Sequence, residues 1–180
     1  MCILKCLLPS KICYDGSSSY NAYLEIIYKV FKRDFIDSST VYKNAIVEID
    51  HSPGILGHEK SFEHVTTKDY SKYRGTESPR EPDPDRAEKV PWIKPFITEH
   101  SKCKTCKLNC EGIKVWEKRK KKNIRTLFLL EEERYLVVIE KKKNWYFLTT
   151  SYYVSYDHTL ADLLDEFEEY KNSKNQITPP

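Results

Sequence analysis

At 180 residues the chain has room for one domain with a sizeable core, and its 39% hydrophobic and 32% charged residues describe a soluble, highly charged globule. Its 13 tyrosines and 13% aromatic content exclude a disordered chain, while a net charge of +3 is too small to decide on a nucleic-acid partner. No apolar run approaches the roughly 20 residues that span a bilayer, and the opening segment lacks a signal-peptide cleavage pattern, so a cytoplasmic protein with no membrane partner is expected.

Taken in order, Cys2, Cys6 and Cys13 read as small core residues, since their spacing matches no common metal loop. A serine run at 17–19 leads into Tyr20, Tyr23, Leu24, Ile27, Tyr28, Phe31 and Phe35, an amphipathic helix of about five turns whose tyrosine stripe should pack on a sheet. Residues 45–49 read as a strand, and 51–57, with Pro53, Gly54 and Gly57, as a turn. Residues 58–65 are read as a strand, because alternation then puts His58, Lys60, Phe62 and His64 on one face. Two histidines and a lysine leaving a glycine loop are candidates for acid–base work, since imidazole titrates near neutrality.

The polar stretch 66–91 reads as a long ordered loop that could form a lid, with Arg74, Arg80 and Arg86 as phosphate contacts and a short helix from Pro84. Trp92, Phe96 and their apolar neighbours look like an element closing over the core. Cys103, Cys106 and Cys110 stand in a C-x2-C-x3-C pattern three residues after His100. Three thiolates and an imidazole can satisfy a tetrahedral, closed and therefore structural zinc, although Cys2, Cys6 or Cys13 could also supply the fourth ligand. Reduced thiols are the other reading of this loop.

Residues 124–130, 135–139 and 145–154 are dense in β-branched and aromatic side chains, and their connectors are short and charged. They should form a three-stranded antiparallel meander. Lys120, Lys121 and Lys122 then meet Lys141, Lys142 and Lys143 at one end of the sheet, as an RNA-binding rim or simply a solvated one. The other end collects the glutamate turn at 131–133, Arg134, Thr150 and Tyr152. Leu160, Leu163, Leu164, Phe167 and Tyr170 mark a second amphipathic helix with an acidic outer face. The expected fold is α+β: an N-terminal helix on a small antiparallel sheet, a C-terminal helix and a cysteine-rich zinc loop at 100–110, in one domain over 1–172 with a disordered tail at 173–180.

The succession 57–65, 83–93, Arg125, 135–138 and 148–152 resembles phage-associated nucleases of the barnase/EndoU/colicin/RelE-like group, and the likeness runs over about 45–170. It implies a metal-independent ribonuclease, a toxin or phage or defence factor, in which His64 is the acid–base group, Arg125 stabilises the charged phosphate, and Thr150 and Tyr152 come from the last strand. Lys60 and Arg86 join this set from the residue reading. With tight turns Arg125 lines up with Glu140 and Trp145, whereas Leu130, Tyr135 and Thr150 share a row, so Arg125 lies roughly 17 Å from Thr150 and Arg134 becomes its rival. The alternatives are a non-catalytic zinc-loop module binding RNA or a protein, and a protein that neutralises a partner through the acidic C-terminal helix.

Overall fold

A computed structural model describes residues 8–54, 57–69, 80–103 and 110–175. Helix α1 spans Tyr20–Phe35; Ser19 caps it by accepting a hydrogen bond from the Ala22 N–H at 3.2 Å. Its apolar stripe, including Leu24, Ile27 and Phe31, is buried, and its nearest packing neighbour is the helix at Val90–Thr98 rather than the sheet. Loss of the cap in Ser19→Ala should cost about 1 kcal/mol, read as a shifted urea midpoint with an unchanged slope.

Strands β1 (Val41–Tyr42) and β2 (Ala45–Glu48) form a hairpin through Lys43 and Asn44, both at positive φ. Residues 58–65, expected as a strand, are instead mostly helix: α2 spans Lys60–Thr66. The reason is burial, because a helix brings Phe62 and Val65, three residues apart, onto one face against the core, whereas a strand would have sent them to opposite sides. The consequence is that His58, Lys60, Phe62 and His64 do not share a face.

Strands β3 (Thr67–Lys68) and β4 (Glu81–Pro82) pair as a small ladder not anticipated in the polar loop. Helix α3 (Pro84–Ala87) starts at the expected proline with Asp83 as its cap, and α4 (Val90–Thr98) buries Trp92, Ile93, Phe96 and Ile97. One further turn, α5, covers His100–Cys103.

The expected meander is present as β6 (Asn123–Leu130), β7 (Tyr135–Lys141) and β8 (Tyr146–Tyr153). It belongs to a larger sheet than expected. The basic run is the end of another strand, β5 (Lys114–Lys120), and the strand order is β1-β2-β8-β7-β6-β5, with β2 parallel to β8 and the other pairs antiparallel. The sheet curls until the β1–β2 turn reaches β5, where Lys43 Nζ lies 2.9 Å from Glu117. One face holds the main core, in which Phe128, Val137 and Ile139 meet α1, α2 and α4; the other, with Trp116, Leu129 and Leu136, lies under helix α6 (Asp157–Asn175). That helix runs through 173–175, which were expected to be tail; 176–180 lie outside the described residues.

Candidate functional site

The site is organised by the edge of β8. Strand β2 pairs with β8 only at Val47–Tyr146 and Glu48–Phe147, then turns away, and α2 and α3 pack beside the rest of the strand. At the same place the β7–β8 register shifts: Ile139 faces Leu148 and Val138 faces Thr150, so Thr149 is a bulge residue with no opposite number on β7. Such bulges bend a strand and redirect a side chain. Thr149, not Thr150, therefore joins Asp50, Lys60, Ser61, His64 and Phe147 around a cavity of about 250 Å³.

Local contacts fix α2 in this position. Ser61 Oγ accepts from the Asp50 N–H at 2.8 Å, and Lys60 N–H donates to the Ser52 carbonyl at 2.8 Å. Gly54 lets the loop cross the helix closely, since a Cβ there would lie 2.9 Å from Glu63 Oε2 and 3.1 Å from Lys60 Cα. His64 is half-buried. Burial, with the positive charge of Arg80 next, holds its imidazole below the ordinary histidine value; Glu63 and Asp50 act in the opposite sense. His64 is thus a neutral imidazole at neutral pH, able to accept a proton. His58 has a different place: it stacks on Tyr28 at 3.8 Å and meets Glu25 at 2.9 Å, tying α1 to the start of α2.

Farther along β8 lies a second cavity of about 390 Å³, lined among others by Lys68, Arg80, Arg86, Tyr152 and Tyr156. Arg80 is held by Thr67, with Nε 2.8 Å from the hydroxyl and Nη2 3.0 Å from the carbonyl. Arg86 bonds Asp83 at 3.1 Å and the His64 carbonyl at 3.3 Å, and its guanidinium lies 5.4 Å from the Tyr152 ring. Burial and the neighbouring Arg86 charge draw the Arg80 guanidinium below its ordinary value. Arg80, Arg86 and Lys68 put cations around the cavity, offset by the Asp69 carboxylate that also lines it and by Glu63, 4.0 Å from Arg80, so the site can bind an anion that accepts from the guanidiniums. Burial raises the Tyr152 phenol against the opposing pull of Arg86, so it remains a neutral hydrogen-bonding group at neutral pH.

The remaining expected site residues are dispersed. Arg125 does pair with Glu140 in register, but Glu140 meets Phe147 rather than Trp145, and Tyr135 meets Tyr153 rather than Thr150. Arg125 Nε donates to Glu140 at 3.0 Å, and Lys142 and Asn123 bond the same carboxylate at 2.6 and 2.9 Å. Burial pushes that carboxyl up, yet the Lys142 and Arg125 hydrogen bonds outweigh it and hold the group below its ordinary value. Arg134 donates to the Val154 carbonyl at 2.8 Å and Asp157 at 2.7 Å, bracing the β6–β7 turn against the start of α6. Thr150 is three strand positions from the row that holds Tyr135, roughly 10 Å, so the glutamate turn, Arg134, Thr150 and Tyr152 do not converge.

The basic end is where it was expected. Lys141 pairs with Ile124 and Lys120 with Asn123, and Arg119, Lys120, Lys121, Lys122, Lys141 and Lys143 are exposed with Lys142 half-buried. In the cysteine segment, His100 Nδ1 lies 3.0 Å from the Ile97 carbonyl and its ring packs near Tyr42 and Phe128. Cys103 is buried, Cys110 is half-buried, and Cys106, like Cys2, Cys6 and Arg74, lies outside the described residues; Cys13, expected in the core, is exposed. Among the described residues, no group of three or more His, Cys, Asp or Glu side chains could hold a metal ion. No family model, curated protein or solved structure matches the chain. Among the described residues no helix is long and apolar enough to cross a membrane.

Asp50 and Thr149 escaped the sequence reading. A bulge leaves no signature in a run such as Leu148-Thr149-Thr150-Ser151, where either threonine could be the extra residue.

Proposed function

We propose that the protein is a metal-independent endoribonuclease acting through His64. The observation that carries this is the half-buried, neutral imidazole beside Lys60 and Thr149 in a cavity between α2 and β8, next to the Arg80–Arg86 pair. In this reading His64 removes the proton from a ribose 2′-hydroxyl, and the oxygen attacks the adjacent phosphorus. The ammonium of Lys60 stabilises the extra charge on the non-bridging oxygens and gives a proton to the departing 5′-oxygen. The products are a 2′,3′-cyclic phosphate and a 5′-hydroxyl. Arg80 and Arg86 hold a neighbouring phosphate, with Tyr152 as a neutral donor beside it. Arg125 and Arg134 take structural roles in this scheme, which departs from the family likeness.

The test is incubation of the purified protein with a mixed RNA pool in excess EDTA, reading the chemistry of the new ends. Cyclic phosphate or its 3′-phosphate product supports the reading; intact RNA both with and without the chelator removes it. The lysine end of the sheet favours a second reading, a non-catalytic module binding RNA or an acidic protein, whose mark is salt-sensitive binding without turnover.

Structural zinc belongs to the same proposal. The donor types His100, Cys103, Cys106 and Cys110 suit a tetrahedral zinc, and the His100 Nδ1 contact to the Ile97 carbonyl is of the kind that orients histidine ligands. Elemental analysis should find roughly one zinc ion per chain, lost in Cys103→Ser. A metal-free protein would leave these cysteines as thiols.

A further inference from the structure

Helix α6 covers the outer sheet face over Trp116, Leu129 and Leu136, but the same face at the start of β8 carries exposed apolar groups. Val41 and Ile46 oppose each other on β1 and β2 and are 43% and 45% exposed, and Trp145 is 37% exposed. Phe147 alternates with the inward-facing Tyr146 and Leu148, so it points outward, 6.3 Å from the Trp145 ring. Lys142 Nζ lies 5.9 Å from the Phe147 ring. The acid in this row, Glu140, is neutralised by Arg125 and Lys142; Glu48 flanks Phe147 on the other side.

The surroundings select the occupant. An exposed indole and a half-buried phenyl stand beside an end of the sheet that carries Lys120, Lys121, Lys122, Lys141 and Lys143, so the surface offers apolar rings with positive charge around them. That combination suits a single-stranded polyanion with planar bases, whose stacking is tolerant of sequence. A duplex hides those bases. Phe147 also lines the cavity that holds His64, so a strand lying across this face leads into that cavity.

We propose that Trp145 and Phe147 form a base-stacking platform for single-stranded RNA, flanked by the lysine end and leading to the His64 cavity. The proposal rests on the RNA reading above and extends it to how the strand is held. The probe is a labelled 2′-O-methyl oligouridylate of about 12 nucleotides, which lacks the hydroxyl that would attack. Trp92 and Trp116 are 5% and 1% exposed, so quenching of tryptophan emission reports on Trp145.

Titration should give saturable quenching. Trp145→Ala should weaken binding by about tenfold or more in anisotropy, whereas Trp145→Phe keeps most of the affinity because a phenyl ring also stacks. Inorganic polyphosphate, which has the charge and no bases, should bind the wild type and Trp145→Ala alike. Equal oligouridylate affinity in wild type and Trp145→Ala, binding without quenching, or no binding would each overturn the platform. Cleavage of unmodified RNA is scored separately: quenching without cleavage removes the nuclease and keeps the platform, and cleavage without quenching does the reverse.

Discussion

His64→Ala should lower RNA cleavage by roughly 10²- to 10⁴-fold, the range expected when a positioned acid–base group is removed. The fold should survive, because His64 is only half-buried and α2 is anchored through Phe62 and Val65 instead. The pH profile gives an independent check. Burial and the Arg80 charge hold His64 below its ordinary value of 6.5. A base must be neutral, so the rate should be flat through neutrality and its acid limb should lie below 6.5, as the imidazole takes up a proton. Replacing Arg80 with Gln removes a positive neighbour and should move that acid limb towards higher pH, whatever it does to binding. A profile whose limb does not respond to Arg80, or an alanine variant that cleaves like the wild type, would remove His64 from the mechanism.

Phe128→Ala should be among the most destabilising substitutions, at about 3–5 kcal/mol. Phe128 has no exposed surface and meets Tyr42 and His100 edge-on at 5.3 and 5.5 Å, so truncation leaves a cavity where β1, β6 and α5 meet. Domains of this kind have only about 5–15 kcal/mol in total, so the urea midpoint should fall by roughly 2 M. Ile46→Ala is the contrasting case: with its side chain 45% exposed, it should stay within about 0.5 kcal/mol of the wild type. A Phe128→Ala protein as stable as the Ile46→Ala one would contradict the placement of β6 at the centre of the main core.

The periodic segments were legible residue by residue. The stripe from Tyr20 to Phe35 and the serine before it define α1, the dense runs at 124–130 and 135–139 define β6 and β7, and Pro84 behind Asp83 starts α3. Two elements were hidden by their composition. Strand β5 ends in Lys118, Arg119 and Lys120, all exposed at the hairpin tip, and a strand solvated there shows little apolar alternation. In 58–65 the alternating His58, Lys60, Phe62 and His64 imitated a strand, and the Phe62–Val65 pair that makes it a helix is a weak signal in so short a segment.

The candidate site divides in the same way. The residue types came from local sequence: a histidine and a lysine after a glycine loop, arginines in a polar stretch, and lysines flanking short hairpins. Which of them meet was decided by tertiary structure. Helix α2 sits where β2 leaves β8, a parallel pairing between residues nearly a hundred positions apart. The β7–β8 hairpin pairs Glu140 with Phe147, two residues beyond Trp145, and a one-residue bulge adds a third, so Thr149 is selected over Thr150 and Tyr135 moves from the Thr150 row to the Tyr153 row. Hydrophobic period and capping act over one or two turns of chain, so they can be read directly. Long-range register is set by how whole elements pack against one another, and a shift of one residue sends a side chain to the other face.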